Sequence, residues 1–316
     1  MFFCRRRTRG APGGQTTGAI FECEKFAPVV CPPGALLDVF IGKKTLQKRN
    51  ARGKISVSGI WQKGRCEMRP LEKEKKEIES FRSRTELLLG SKGVDTLEKA
   101  NVIVFGIGGV GGFTAEALVR AGVGNITLVD NDTVCESNRN RQIIALKSTV
   151  GRYKTEVMKE RLLDINPCCN VTVKTLFFGE ETSGEFDWEK YDYIADAIDC
   201  VTSKILLAKT AEEKSIPIIS SMGTGNKLDP TQFRVSDISK TTNCPLARVM
   251  RTELRRRGIK KLKTVWSPEE PVLKGTKTPG SVSFVPSVAG LIMAGEIIKD
   301  IVNSEPLESR KEDANV

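Results

Sequence analysis

Residues 101–130 decide the fold, and they read NVIVFGIGGVGGFTAEALVRAGVGNITLVD. The apolar runs 102–105 and 126–129 are short and rich in β-branched residues, which is typical of buried parallel strands. Between them, apolar residues recur every three or four positions, and this spacing predicts an amphipathic helix. The stretch is therefore predicted to form one β-α-β unit.

A glycine-rich turn joins the first strand of this unit to its helix. Gly106, Gly108 and Gly111 form a G-x-G-x-x-G pattern, to which Gly109 adds a fourth glycine. With no side chains in the way, backbone N–H groups and the helix N-terminus can face a phosphate. Asp130 follows the second strand, where an acidic residue accepts hydrogen bonds from a ribose. The pattern predicts a nucleotide site but does not distinguish NAD from ATP.

Strand and helix patterns alternate along residues 81–303. We expect a Rossmann-like, doubly wound α/β fold whose sheet is mainly parallel and whose ligands bind at the carboxyl ends of the strands. Beyond the first unit, the expected strands are 171–177, 191–198, 216–220, 232–235 and 281–285. The expected helices are 72–89, 94–99, one from 150–154 to 165, and 204–214, 246–257 and 287–302.

The first 67 residues differ in character from the rest of the chain. They hold 13 Lys and Arg against 4 Asp and Glu, and segments such as RRRTRGAPGGQTTG favour turns and disorder. We expect a poorly ordered basic extension. Either it is an arm that binds an acidic partner, or it does not belong to the working protein, whose translation would then start at Met68. Residues 68–80 are expected to be a charged helical lead-in, and residues 304–316 a polar tail.

Charge and cysteine content narrow the class of protein. The net charge is +11, but residues 68–316 hold 37 basic against 35 acidic residues, so their overall charge indicates no particular partner. The sequence contains no run of 18 uncharged apolar residues, which is the length that a membrane-spanning helix needs. The nine cysteines include no C-x-x-C pair and there is no histidine, which predicts reduced thiols in the cytoplasm and no zinc site. Peripheral membrane association stays open.

Four charged residues near the predicted strand ends form a candidate phosphate clamp. Arg141 lies in the polar loop after the Asp130 strand, Lys154 lies at the first turn of a helix, and Asp196 and Asp199 lie at the end of the fourth strand. Two cations suit the α- and γ-phosphates of a nucleoside triphosphate, and a carboxylate suits Mg²⁺. Each residue alone is typical of a solvated surface, but a hydride-transfer site would not need the set.

The motifs GIGGVG, LVDNDTV, SNRNRQ, GRYKTEVM and DAIDC, in this order and spacing, resemble those of the ThiF/MoeB superfamily of ubiquitin-activating-enzyme-like adenylyltransferases. The resemblance covers about residues 81–302 and implies an ATP site at the carboxyl ends of the strands. The implied ligands, besides the four glycines of the turn and Asp132, are Asp130 for the ribose, Asn138, Arg141 and Lys154 for the triphosphate, and Asp199 for Mg²⁺.

An arginine near the start of this region matches a residue that acts between subunits in the superfamily. Arg84, in the stretch FRSRTELLLG, corresponds to an N-terminal arginine that reaches into the partner subunit's site. The resemblance therefore implies a homodimer in which Arg84 is catalytic.

Within the superfamily, RTELLLG, NRQII, SSMGTGNKLDPTQFRVSDISKTTNCPLARVMR and PGSVSFVPSVAG are most similar to the tRNA threonylcarbamoyladenosine dehydratases. That branch implies adenylation of the threonyl carboxylate of the modified adenosine, followed by cyclisation with loss of AMP. Catalysis would then consist mostly of alignment and charge neutralisation, which Arg84, Arg141, Lys154 and Mg²⁺ can provide. Neither a histidine nor a catalytic cysteine is required.

A dense basic segment, residues 246–263, is expected to hold the tRNA. Eight cations surround a single acid, Glu253, and three of them recur at the spacing of one helical face. A charge run is commonly a solvated surface, but this density also fits phosphate contacts. The cations are Arg248, Arg251, Arg255, Arg256, Arg257, Lys260, Lys261 and Lys263.

Three other functions stay open on the sequence. An adenylyltransferase that activates the C-terminus of a ubiquitin-like sulfur carrier would usually carry paired C-x-x-C motifs for zinc, which this chain lacks. An NAD-dependent oxidoreductase would explain the glycine turn but not Arg141, Lys154 and Asp199. A catalytically inactive tRNA-binding scaffold is the third, because the segment 270–279 is shorter than in similar proteins and has no cysteine.

Cys244, just before the basic segment, also has two interpretations. A small buried side chain is favoured by composition alone. The alternative is a thioester or persulfide role with a sulfur-transfer partner that the sequence does not identify.

Overall fold

The computed structural model describes residues 71–273 and 278–304, with residues 71–80 in backbone only, and two short strands, Lys48–Arg49 and Ile55–Ser56. The chain divides into two compact units, Met1–Met68 and Arg69–Val316. In the first unit the two short strands pair antiparallel. The remainder of the expected basic extension and the expected tail beyond residue 304 lie outside the described residues.

The described part of the second unit is organised around a seven-stranded sheet. The strands are β1 (Asn101–Phe105), β2 (Asn125–Val129), β3 (Asn170–Lys174), β4 (Tyr193–Asp196), β5 (Ile218–Ser221), β6 (Arg234–Asp237) and β7 (Lys263–Trp266). Their spatial order is β3-β2-β1-β4-β5-β7-β6. Neighbouring strands pair parallel except β6 with β7. The predicted doubly wound, mainly parallel fold is confirmed.

Helices cover both faces of the sheet. They are α1 (Leu71–Lys99), α2 (Gly111–Ala121), α3 (Lys154–Ile165), α4 (Val201–Glu213), α5 (Pro245–Arg256) and α6 (Phe284–Asn303). Because side chains alternate along a strand, Val102 and Val104 of β1 pack with α1, α2, α3 and α6, whereas Ile103 and Phe105 pack on the α4 side. Hydrophobic side chains therefore form a core on each face of the sheet.

The two helices expected before the first strand follow each other directly within α1 and are separated at Gly90. Gly90 has φ +72° and interrupts the helical backbone of α1, as expected, but Gly93 remains helical. Of the described residues, none belongs to a helix with the length and apolar character that crossing a bilayer requires.

One expectation about the C-terminal part is wrong, and one strand there was missed. The strand expected at 281–285 is absent, since α6 already begins at Phe284. Pro286 lies in the first turn of α6, where a missing backbone N–H costs no intrahelical hydrogen bond. Strand β7 was not predicted, because Lys263 at its start continues the preceding basic run and masks the apolar residues that follow.

Candidate active site

The glycine turn packs tightly against the end of β4. Gly106 has φ +83°, and a Cβ there would lie 2.7 Å from the carbonyl oxygen of Ala197. A Cβ on Gly111 would lie 1.8 Å from the carbonyl oxygen of Gly106. Both positions therefore require glycine. Gly108 is less crowded, because a Cβ there would have the Nε2 of Gln142 as its nearest neighbour, at 3.8 Å.

Asp130 links this turn to the loop that follows β2. Its side chain is 8% exposed and accepts hydrogen bonds from the backbone N–H groups of Ile107 at 2.7 Å and Asp132 at 2.8 Å. The sequence predicts a ribose ligand at this residue. A ribose would meet a carboxylate whose orientation is already fixed by the backbone.

Lys154, the first residue of α3, lies between two carboxylates. It is 6% exposed, and its Nζ is 2.6 Å from Asp132 Oδ2 and 3.6 Å from Asp130 Oδ1. The Lys154 backbone N–H also donates to the Asp132 carbonyl at 3.0 Å. The structure thus brings three predicted site residues into one ion-paired group beside the glycine turn.

Arg141 lies on the other side of the turn. Its Cγ is 3.5 Å from the position that a Cβ on Gly109 would take. The guanidinium donates to the Ser137 carbonyl and to the Asn140 side chain, each at 2.9 Å. Since no carboxylate of the described chain pairs with it, Arg141 keeps an unneutralised charge next to the turn.

Asn138 and Gln142 complete this loop. Asn138 Oδ1 accepts a hydrogen bond from the Cys135 backbone N–H at 3.1 Å, and the Gln142 N–H donates to the Asn138 carbonyl at 2.9 Å. Gln142 is 7% exposed, and its Oε1 has no hydrogen-bond partner among the described residues. A buried amide oxygen without a partner is costly, which makes Gln142 a candidate site residue that the sequence reasoning missed. In the sequence, the only feature that pointed to Gln142 was its position directly after Arg141.

The end of β4 separates the two aspartates that the sequence grouped. Asp196 is fully buried, with its Oδ2 2.9 Å from Lys204 Nζ and 2.6 Å from Ser220 Oγ. The expectation that Asp196 belongs to the phosphate clamp is therefore wrong, because its carboxylate is held in the core. Asp199 is exposed and has no hydrogen bond or ion pair within residues 71–273 and 278–304.

The turn that carries Asp199 is fixed against the glycine turn. The Ala197 N–H donates to the Phe105 carbonyl at 2.9 Å, and a Cβ on Gly106 would lie 3.1 Å from the Ile198 nitrogen. Asp199 consequently lies at the same edge of the sheet as the glycine turn. Next to it, the hydrogen bond from the Ser203 backbone at the start of α4 lowers the pKa of the Cys200 thiol.

A magnesium ion fits this edge only with the help of a substrate. Across the described residues, no three His, Cys, Asp or Glu side chains are grouped to hold a metal ion. Mg²⁺ commonly binds to one or two carboxylates together with substrate phosphates. An exposed, unpaired Asp199 beside a phosphate-binding turn matches that mode of binding.

Arg84 lies on the exposed surface of α1. The neighbouring Leu87 and Leu88 are 86% and 87% exposed, which is unusual for large apolar side chains. In the described part of the chain, no hydrogen bond or ion pair joins Arg84 to the glycine turn. Its role in a partner subunit's site stays a prediction.

The basic segment is divided by the fold. Helix α5 ends at Arg256, and Gly258 with φ +81° turns the chain, so residues 257–262 are not helical. Lys263 lies in β7, where its Nζ is 2.8 Å from both Glu296 and Asp300. The expectation that Lys263 contacts nucleic acid is corrected, because two carboxylates neutralise its charge.

Cys244 lies directly before α5 and is 3% exposed. It packs in an apolar cluster with Ala247 and Met250, which agrees with the expected buried side chain. Of the shortened segment 270–279, residues 274–277 lie outside the described residues.

A model of the ThiF family matches residues 82–315. The chain belongs to the ThiF family. One relative is the tRNA threonylcarbamoyladenosine dehydratase of Bacillus subtilis, which is 45% identical in an alignment of 248 positions that covers 73% of this chain and 98% of the relative. The enzyme of the same name from Escherichia coli is 44% identical over 171 residues, which are 54% of this chain and 64% of that protein.

A solved structure shares the fold. The crystal structure of E. coli tRNA N6-threonylcarbamoyladenosine dehydratase in complex with ATP superposes with a TM-score of 0.67 at 37% identity, covering 70% of this chain and 93% of that chain. The predicted superfamily is therefore confirmed, and these relatives come from the branch that the motifs indicated.

Proposed function

We propose that this chain is an ATP-dependent tRNA threonylcarbamoyladenosine dehydratase. One observation supports the proposal most strongly. Lys154, Arg141 and an unpaired Asp199 lie around one glycine turn at the carboxyl edge of the sheet. The dehydratase relative that is 45% identical over 98% of its own length gives this site its substrate.

ATP would bind by exchange of partners within the site. The backbone of the glycine turn receives the phosphates, and Asp130 receives the ribose. Lys154 is paired with Asp132, whose side chain is 61% exposed. Lys154 can therefore leave Asp132 for a phosphate while it stays close to Asp130. Asn138, Gln142 and Arg141 lie on the other side of the turn and contact the triphosphate there.

The reaction follows from the weakness of a carboxylate as an electrophile. An oxygen of the threonyl carboxylate attacks the α-phosphorus of ATP, and pyrophosphate leaves. A nucleophilic atom of the carbamoyl group then attacks the acyl carbon of the mixed anhydride, loses its proton, and AMP leaves with the former carboxylate oxygen. One water molecule is removed overall while ATP becomes AMP and pyrophosphate.

The protein contributes alignment and positive charge to these steps. Arg141 and Lys154 offset the charge that develops on the phosphates. Asp199 would hold Mg²⁺, which neutralises phosphate oxygens when it is bound.

We also propose that the working enzyme is a homodimer. The exposed Leu87 and Leu88 suit an apolar contact, and Arg84 lies one turn before them on the same helix. An arginine supplied across a two-fold interface would complete the partner's charge-neutralising set.

Release of AMP tests the proposed reaction. The protein is incubated with ATP, Mg²⁺ and a tRNA that carries threonylcarbamoyladenosine, and in parallel with the same tRNA lacking the modification or with a ubiquitin-like sulfur-carrier protein. We expect AMP only with the modified tRNA and none with the Asp199→Asn variant. Pyrophosphate release that depends on the carrier protein, whose C-terminus would keep the AMP, would replace the proposal with the sulfur-carrier function.

A further inference from the structure

Helix α5 presents three different faces. Successive residues are rotated by about 100°, so residues at i, i+3 and i+7 share a face. Ala247, Met250 and Leu254 are buried against the domain. The two flanks of this buried stripe are both basic, and the ion pairs distinguish them.

On one flank the positive charge is partly neutralised by an acid of the helix. Glu253 lies 2.9 Å from Arg256 and 2.6 Å from Arg257. The hydrogen bond from Arg257 lowers the pKa of the Glu253 carboxyl, and Arg256 adds to this effect. This acid therefore stays ionised around neutral pH, and its charge, shared between the two arginines, offsets half of theirs.

On the other flank the charge is not neutralised. Arg248, Arg251 and Arg255 lie within an arc of roughly 60°. None of them pairs with an acid among the described residues, and Arg251 donates only to the Thr241 carbonyl, at 2.8 Å, and to the Thr241 hydroxyl. Lys260, exposed in the turn after the helix, continues this row of cations.

A cleft opens along the same flank. Its volume is about 300 Å³, and its walls include Arg251, Arg255 and Lys260 over the apolar side chains of Leu254 and Ile259. The nearby Asp237 does not pair with these cations, because its carboxylate accepts hydrogen bonds from the backbone N–H groups of Ser239 at 2.9 Å and Leu262 at 3.0 Å.

This row of cations starts at the edge of the sheet that holds the nucleotide site. The Cys244 Sγ lies 3.7 Å from the position of a Cβ on Gly223, which follows β5 at its carboxyl end. Helix α5 begins at the next residue and leads away from that edge. Arg248 and Arg255 are about 10 Å apart along the helix axis, so the row can follow several phosphates of one strand.

We propose that Arg248, Arg251, Arg255 and Lys260 form a contact surface for the sugar-phosphate backbone of the tRNA, and that Arg256, Arg257 and Lys263 do not belong to it. This inference rests on the proposed function, which supplies the RNA partner. The row leads from the site where the modified adenosine reacts toward the opposite edge of the sheet. It therefore guides a neighbouring part of the same RNA, through contacts that carry no sequence information.

Two adjacent arginines provide a matched test. Arg255→Ala and Arg256→Ala remove the same side chain from neighbouring exposed positions of one helix. Binding of the modified tRNA to the full-length protein is measured by fluorescence anisotropy over a series of salt concentrations. We expect Arg255→Ala to raise Kd about fivefold and to reduce the slope of log Kd against log salt by about one. Arg256→Ala should change Kd by less than about twofold, because Arg257 still pairs with Glu253.

The outcomes separate this surface from the proposed reaction. Equal losses in the two variants, or an unchanged salt slope in Arg255→Ala, would overturn the surface. If Arg255→Ala binds the tRNA more weakly but still dehydrates it at saturating tRNA concentration, the result supports the surface. Wild-type protein that binds no tRNA but captures an acidic protein through Arg255 would assign the surface to a different partner. Wild-type protein that binds tRNA through Arg255 without dehydrating it would refute the reaction and leave the surface standing.

Discussion

At the scale of single residues, the surroundings of Lys154 give the clearest prediction about ATP binding. It is buried, and it lies 2.6 Å from a carboxylate that is itself exposed. Replacing Lys154 with Met should leave Asp132 and Asp130 as unopposed negative charges where the triphosphate binds. We expect AMP formation to fall by about 100-fold or more, measured as pyrophosphate release. The exposed Lys147→Met is the control, and an equal effect there would exclude a specific role for Lys154.

The buried pair of Asp196 and Lys204 makes a prediction about stability. Both side chains are at most 1% exposed, and the nitrogen-to-oxygen distance is 2.9 Å. Lys204→Met leaves an uncompensated buried carboxylate, which costs about 3–5 kcal/mol of the free energy of unfolding in urea. Lys209→Met on the same helix removes an exposed pair with Glu213 and should cost less than about 1 kcal/mol. Similar costs in the two variants would contradict the account.

Residue type and position alone predicted which part of the chain holds the site, but not which members of a like-charged group are available. Asp196 and Asp199 are three positions apart in one motif, and only the partners Lys204 and Ser220 show that the first belongs to the core. Those partners come from another helix and strand. The sequence therefore contained no local signal that would separate the two aspartates.

At the scale of elements, a cluster of ion pairs helps to attach α6 to the sheet. Lys263 of β7 lies 2.8 Å from both Glu296 and Asp300 of α6. Burial alone would raise the pKa of the Glu296 carboxyl, but hydrogen bonds from Lys263 and Lys299 outweigh it and lower that pKa. A carboxyl whose pKa is lower in the folded state stabilises the fold above its unfolded pKa. That stabilisation is lost as the pH falls through the folded value.

Lys263→Met should therefore destabilise the protein by about 1 kcal/mol at pH 7 and by less at an acidic pH below the lowered pKa of Glu296. Urea unfolding at the two pH values measures the difference. The control is Lys299→Met, which also removes a partner of Glu296 but from a side chain that is 62% exposed, so its effect should be smaller at pH 7. A Lys263→Met penalty that does not depend on pH would contradict the assignment.

The elements that the sequence predicted well are those whose signals are local. The β-branched runs and the intervening period of three to four residues identified β1, α2 and β2, because one chain segment contains the whole pattern. Strand β7 was missed for the opposite reason. Its partners β5 and β6 are distant in sequence, and the salt bridges of Lys263 are visible only in three dimensions.

At the scale of the whole molecule, alternating strands and helices were enough to predict the parallel sheet, since short crossovers leave few other arrangements. The arrangement of two subunits could not be predicted in this way. The proposed dimer contact has no sequence period, and only the resemblance of Arg84 and the exposure of Leu87 and Leu88 support its placement on α1.

Mixing two inactive variants tests whether Arg84 acts across subunits. Arg84→Ala and Asp199→Asn should each be inactive as homodimers. When equal amounts exchange subunits, half of the dimers are mixed, and in each of these one site receives both Arg84 and Asp199. We expect about a quarter of the wild-type rate of AMP formation to return. No recovery, despite subunit exchange shown by labelled protein, would place Arg84 in its own subunit's site or outside catalysis.

The most direct test of the central claim is the mass of the tRNA nucleosides after reaction with ATP and Mg²⁺. We predict that the threonylcarbamoyl nucleoside loses the mass of one water molecule, and that this loss requires Asp199 and Arg141. An unchanged nucleoside mass, in a preparation that still binds both ATP and the modified tRNA, would contradict the account.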